Sequence, residues 1–188
     1  MLPVTLRSPV ARLDMPTRAD APAITEACQD AEIARWTTIP TPYGPRDAHA
    51  FVDALVGPGW ASDREYTWAI RRPSSTWLEG VVAFRPAHRD IGFWLAPSAR
   101  GHGLMAEAVR LVTGWAFEQG HEDVYWECFV GNRASAAVAR RAGFAYTGTG
   151  PGLIPGRDGT PVTCWKGLLR ADGRSASDLP WPAAALDA

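Results

Sequence analysis

Cysteine is scarce, and it is spaced for neither of its structural uses. Cys28, Cys128 and Cys164 are odd in number and far apart, which argues against a disulfide framework or a zinc knuckle and fits small buried thiols in a reducing compartment. Long apolar runs are missing too. None nears the roughly 18 residues of a spanning helix, and the opening "MLPVTLRSPVARLDMP" is broken by proline and arginine, without a signal-peptide core. The expectation is a cytoplasmic protein with no membrane partner. Nor is there a basic excess: 19 Lys and Arg face 20 Asp and Glu, for a net charge of −1. That argues against a nucleic-acid partner and leaves room for a local cationic site for one phosphorylated ligand. The four histidines offer no pair at helical ligand spacing, so no metal is expected.

What is present fits one soluble domain. The chain is 46% hydrophobic and 21% charged, with nine tryptophans to fill a core or wall a pocket. After an extended start at Val4–Leu13, "TRADAPAITEACQDAEIARW" reads as one helix with Asp20 as N-cap and Pro22 in its first turn. "RDAHAFVDALV" reads as a short helix stopped by "GPG". From Glu65 the period changes: "EYTWAIRR", "LEGVVAFRP" and "DIGFWLAP" suggest an antiparallel meander. A long helix follows from about His102 to Glu118, with Met105, Val109, Val112 and Ala116 on a buried stripe. "DVYWECFV", "NRASAAVARRAG", "FAYTGTG" and "VTCWKGLL" then give strand, helix, strand, strand. The domain spans 1–170, and 171–188 has the composition of a loosely held tail.

Two junctions stand out. In "APSARGHGLMAEAV" a strand ends, two glycines turn, and an apolar helix starts at once. Unpaired backbone N–H groups at a positive helix end, with no side chain to hold an anion away, make a phosphate cradle; a plain turn accounts for the same residues. The Walker lysine is absent and the third glycine of a dinucleotide motif is Ala106, so the usual nucleotide sites do not apply. In "NRASAAVARRAGF", Asn132 reads as an N-cap and Gly143 as a helix stop.

Together the junctions are more specific. "DIGFWLAPSARGHGLMAEAV" and "WECFVGNRASAAVARRAGF" resemble the GNAT superfamily of acyl-CoA-dependent N-acyltransferases, and within it the RimJ/RimL branch, over about Val10 to Leu169. The resemblance implies a mixed α/β (α+β) fold: a twisted, mostly antiparallel sheet of six or seven strands flanked by about four helices. It implies acetyl-CoA as cosubstrate and a primary amine as acceptor, with direct transfer in a ternary complex. Arg100, Gly101, His102, Gly103, Leu104 and Met105 would hold the pyrophosphate, Met105 standing where a small residue is usual. The strand edge at Trp94, Leu95 and Ala96 would hydrogen-bond the pantetheine arm and splay from the strand at Val124–Val130. A backbone N–H near Leu95 would face the oxyanion.

Asn132 and Ser135 match the branch's N-x-x-S. The tyrosine that often protonates the thiolate, seven positions after that asparagine, is here Ala139, which leaves Ser135 as the candidate acid. Cys128 is the other polarisable group near the thioester and reads as a packed thiol. Glu127 is the candidate base, with Asp90 and Asp158 behind it. Trp36, Tyr43 and Trp94 are candidate walls of an acceptor slot between residues 34–47 and 148–161. Arg140 and Arg141 either complement the helix dipole or reach the coenzyme's phosphates. The resemblance also implies a homodimer as one arrangement. A non-catalytic acyl-CoA-binding or sensing domain is the alternative, and the missing tyrosine gives it some footing.

Overall fold

From Tyr66 onward apolar residues alternate, and the structure, a computed structural model in which residues 1–186 are described, turns them into strands. One sheet holds β1 (Leu6–Arg7), β2 (Arg12–Asp14), β3 (Tyr66–Arg71), β4 (Gly80–Arg85), β5 (Asp90–Leu95), β6 (Asp123–Phe129), β7 (Ala145–Pro151) and β8 (Thr163–Arg170). Their spatial order is β1-β2-β3-β4-β5-β6-β8-β7. All neighbours are antiparallel except β5 and β6, which are parallel. The fold is the mostly antiparallel mixed α/β sheet expected, with eight strands in place of six or seven. The extra strand arises because Val4–Leu13 is a hairpin: at Pro9 the chain turns, with the Ser8 N–H donating to the Ala11 carbonyl at 2.9 Å and Ser8 Oγ accepting from the Ala11 N–H at 3.2 Å.

The N-terminal helices differ from the sequence pattern in instructive ways. The single helix expected over 17–36 is two, α1 (Ala21–Ala27) and α2 (Ala31–Trp36), because Asp30 starts its own helix by accepting the Ile33 N–H at 3.0 Å. Asp20 precedes α1, but its carboxylate caps nothing there. It is buried and binds Arg71 through two bonds of 2.7 and 2.9 Å. The "GPG" does not stop a helix either. α3 (Pro45–Ala50) widens into π geometry over Phe51–Val56 and continues as α4 (Gly57–Ala61), Pro58 standing just after the change of geometry. Gly59 is required by packing: a Cβ there would come 2.6 Å from the Glu65 carbonyl oxygen.

The two faces of the sheet are covered differently. α5 (Leu104–Glu118) and α6 (Arg133–Ala142) lie on one face, over Trp60, Trp68, Phe84 and Val82, all almost completely buried. Trp115 of α5 meets Trp68 edge-on at 5.2 Å. Burial of one such indole contributes roughly 4–6 kcal/mol, so α5 is held firmly against the sheet. The other face carries α1 and α3 over Ala69, Leu78 and Val81. Beyond β8, Trp181 packs near Trp126 and Tyr146, and Ala185 is buried; of the tail expected over 171–188, residues 187 and 188 lie outside the described ones. No helix among the described residues is long and apolar enough to cross a membrane.

Candidate active site

β5 and β6 pair only at Asp90 with Tyr125 and Ile91 with Trp126. Beyond those two rungs the strands diverge, and a cavity of about 650 Å³ opens at the fork, between the starts of α5 and α6. An open strand edge at the mouth of such a fork leaves ladder groups free for an extended ligand.

The glycine turn forms one wall. Gly101 and Gly103 have φ of +84° and +74°, a conformation that side chains disfavour, and a Cβ on either would meet no protein atom within 4 Å. Both line the cavity. The first helical bond of α5 runs from the Glu107 N–H to the Gly103 carbonyl at 3.1 Å, so the amides of Leu104, Met105 and Ala106 have no helical acceptor, and no side chain caps them. The geometry suits an anion better than a plain turn would require. Arg100 lines the cavity but is already engaged: it donates to the Leu95 carbonyl at 3.1 Å and to Asp30, the cap of α2, at 2.6 Å. Burial works against the Asp30 carboxylate, yet Arg100 and the Ile33 amide hold it below its usual range.

The facing wall is the start of α6. Asn132 caps the helix by accepting the Ser135 N–H at 3.1 Å, and the helix stops at Gly143 with φ of +100°, as the local pattern required. Ser135 Oγ accepts the indole N–H of Trp126 at 3.1 Å. Cys128 shares the Trp126 face of β6 and donates to the Asn132 carbonyl at 3.6 Å. Burial pushes its thiol up to about 12, and the nearby Ser135 hydroxyl acts in the opposite direction. A thiol so raised is protonated at neutral pH and is a poor nucleophile, in keeping with a packed role.

The cavity collects Trp36, Trp94, Leu95, Arg100, Gly101, Gly103, Leu104, Met105, Asn132 and Ser135 from the expected set. It does not collect His102, Ala96, Tyr43 or Glu127, nor the two further carboxylates Asp90 and Asp158. His102 is exposed at the rim. Ala96 packs in the α1–α3 core, and its N–H is bonded to the Glu79 carbonyl at 2.8 Å. Tyr43, expected as an acceptor wall, is buried in that core, as is Cys28, whose thiol burial lifts to about 12. Glu127 points from β6 to the face opposite Trp126, where it accepts the Leu153 N–H at 2.7 Å and lies 3.5 Å from Lys166 Nζ. Asp90 is paired with Arg85, and Asp158 accepts from the Thr160 hydroxyl at 2.7 Å.

Several contributors were not foreseen. α2 crosses the mouth, with Ile33 and Thr37 in the lining and Trp36 over the β6–α6 turn, where a Cβ on Gly131 would come 3.5 Å from the indole. Arg157 of the β7–β8 loop donates to the Ala34 carbonyl and, at 3.3 Å, to that of Thr37, tying the loop to α2. Of the two arginines left open between the helix dipole and the coenzyme's phosphates, Arg141 lines the cavity and Arg140 does not. The alternation of "VYWEC" puts Trp126 and Cys128 on one face, but that Ser135 stands over that face depends on the turn between β6 and α6. No cluster of metal-ligating side chains occurs among the described residues.

The comparisons agree with this geometry. Residues 11–145 match the family profile described as the acetyltransferase (GNAT) domain. No curated protein matches the sequence. Solved structures share the fold at low identity. RimL, a ribosomal-protein acetyltransferase, gives a TM-score of 0.73 at 20% identity over 90% of this chain and 96% of its own. The microcin self-immunity acetyltransferase MccE, solved with acetyl-CoA and AMP, gives 0.75 at 19% over 87% and 93%. A ribosomal-protein alanine acetyltransferase from Vibrio fischeri gives 0.73 at 17% over 90% and 97%.

Proposed function

This chain belongs to the GNAT acetyltransferase family, and from that premise we propose that its cleft transfers an acetyl group from acetyl-CoA to a primary amine in the manner of the RimJ/RimL branch. One observation carries it: a splayed strand edge, a glycine turn with unpartnered amides and a serine hydroxyl all border one cavity. The amides of residues 103–106 would receive the pyrophosphate at the positive end of α5. The edge at Trp94 and Leu95 would take the pantetheine amides as an added strand. That would place the thioester within the fork, beside Ser135.

The amine must arrive unprotonated. Its lone pair attacks the thioester carbonyl carbon, a C–N bond forms, and a backbone N–H near Leu95 holds the oxyanion. When the intermediate collapses, the C–S bond breaks and its electron pair leaves on sulfur. Ser135 donates its proton to that thiolate and regains one through water, while the proton from nitrogen leaves through water toward Glu127. Glu127 then works at second hand, because the Leu153 amide and Lys166 already hold it. Most of the acceleration comes from holding amine and thioester in attacking orientation.

The names of the relatives support a protein N-terminus as acceptor, reached between α2 and the β7–β8 loop. Three free, buried thiols support a cytoplasmic setting. Both walls come from one chain, so the reading needs no second copy. The test is thiol release from acetyl-CoA with a panel of N-terminal peptides and small amines. The Ser135→Ala variant should keep acetyl-CoA affinity and lose about 100-fold in kcat. Acetyl-CoA binding without turnover on any amine would favour the sensing alternative.

A further inference from the structure

A serine hydroxyl carries one proton and two lone pairs, and it rotates to suit its neighbours. In the first turn of a helix it commonly turns back to a backbone carbonyl, where it would be useless to a leaving thiolate. Ser135 does not do so. Among the described residues its Oγ has one side-chain hydrogen bond, received from Trp126 Nε1 at 3.1 Å. An oxygen that accepts along one direction must send its proton along another, and the accepted bond polarises its O–H into a better donor.

The indole that gives this bond is unable to drift. Trp126 is 2% exposed. Across the β6–β8 ladder it faces Gly167, where a Cβ would come 3.2 Å from its Cε3. Trp181 of the C-terminal segment lies 5.7 Å from the same ring. The serine is fixed from its own side as well, by the bond of its N–H to Asn132 Oδ1. Hence one locked ring and the cap of one helix fix where the oxygen sits and close the Trp126 direction to its proton, leaving the cavity and the neighbouring Cys128 as the directions open to it.

We propose that Trp126 is a positioning residue for acetyl transfer: its indole N–H holds Ser135 Oγ so that the hydroxyl proton faces the departing sulfur of coenzyme A, a role that rests on Ser135 being the thiolate's partner. In a chain with alanine at position 139, this bond substitutes orientation for the acidity that a serine lacks. Trp126 touches neither substrate, so its effect belongs in turnover and passes through Ser135.

A double-mutant cycle tests this with acetyl-CoA and whichever acceptor the panel identifies. Trp126→Phe keeps a flat ring and removes the donor. It should bind acetyl-CoA within about twofold of wild type and leave KM for the amine near its wild-type value, while kcat falls about tenfold. In the Ser135→Ala background the same change should cost less than about twofold, since nothing remains to be oriented. If Trp126→Phe unfolds the protein, 3-benzothienylalanine at position 126 retains the bicyclic volume without the N–H and is measured in its place. A wild-type kcat in either variant, beside a crippled Ser135→Ala, overturns the positioning role and leaves Ser135 standing. A loss equally large with and without Ser135 assigns Trp126 to packing and also overturns it. An active Ser135→Ala removes Ser135 itself, and the role of Trp126 with it.

Discussion

The two walls of the cleft are built on different principles. The coenzyme side is backbone: a glycine turn, the unpaired amides of α5 and the free edge of β5, all resting on a dry layer of tryptophans. The acceptor side is joined by side chains reaching between distant segments: Arg100 from the glycine turn to Asp30 before α2, and Arg157 from the β7–β8 loop to the end of α2, with the Arg71–Asp20 pair buried behind them. A backbone wall binds what every relative must bind. A side-chain wall can be altered one residue at a time, which suits the half of the site that selects the amine.

Removing one partner of the buried tie between β3 and the segment before α1 should have the largest effect. Arg71 is 5% exposed, and it carries both Asp20 and Asp14. Arg71→Met leaves Asp20 buried and unpaired, and should cost about 3–5 kcal/mol in urea unfolding. A loss below about 1 kcal/mol would show that the tie is not structural.

The same pair sets an acid limit. Burial alone would raise the Asp20 carboxyl, but Arg71 and the Thr17 amide together hold it below its ordinary value. A carboxylate whose folded value is depressed contributes stability that is complete above its unfolded value, near pH 4, and is lost as pH falls through the folded value. Melting temperature should therefore drop with falling pH below about 4, and less steeply in an Asp20→Asn variant.

Smaller again is Arg157→Ala. It unties the β7–β8 loop from α2 without touching the glycine turn. We expect KM for the amine to rise several-fold, on the order of 1 kcal/mol, with acetyl-CoA affinity unchanged. Equal changes in both constants would show that the two walls are not separable.

The walls also differed in how far they could be read beforehand. Gly101 and Gly103 are glycines because their φ values are positive, so the conformation is written in the residue type itself. Asn132 and Gly143 mark their helix by local rules that the fold obeys. Asp20 shows where such rules lose: it has the chemistry of a cap, and its carboxylate instead meets an arginine 51 residues away. Tyr43 looked like a wall because it is an aromatic in the segment assigned to the acceptor slot, yet its ring is drawn into the α1–α3 core. The bond from Trp126 to Ser135 was half legible. Alternation gave the face, and only the β6–α6 turn put the hydroxyl above it.

The claim at the centre is that the turn at residues 100–105 receives the pyrophosphate of acetyl-CoA. Calorimetric titration of acetyl-CoA, with ATP as comparator, into wild type and Gly103→Asp tests it most directly. Aspartate tolerates positive φ better than most residues, and its Cβ meets no neighbour, so the variant should fold while its carboxylate repels the phosphates. Binding near −8 kcal/mol in wild type, preferred over ATP and weakened at least about 100-fold in a folded Gly103→Asp, is the predicted result. Equal acetyl-CoA affinity in both proteins would contradict it.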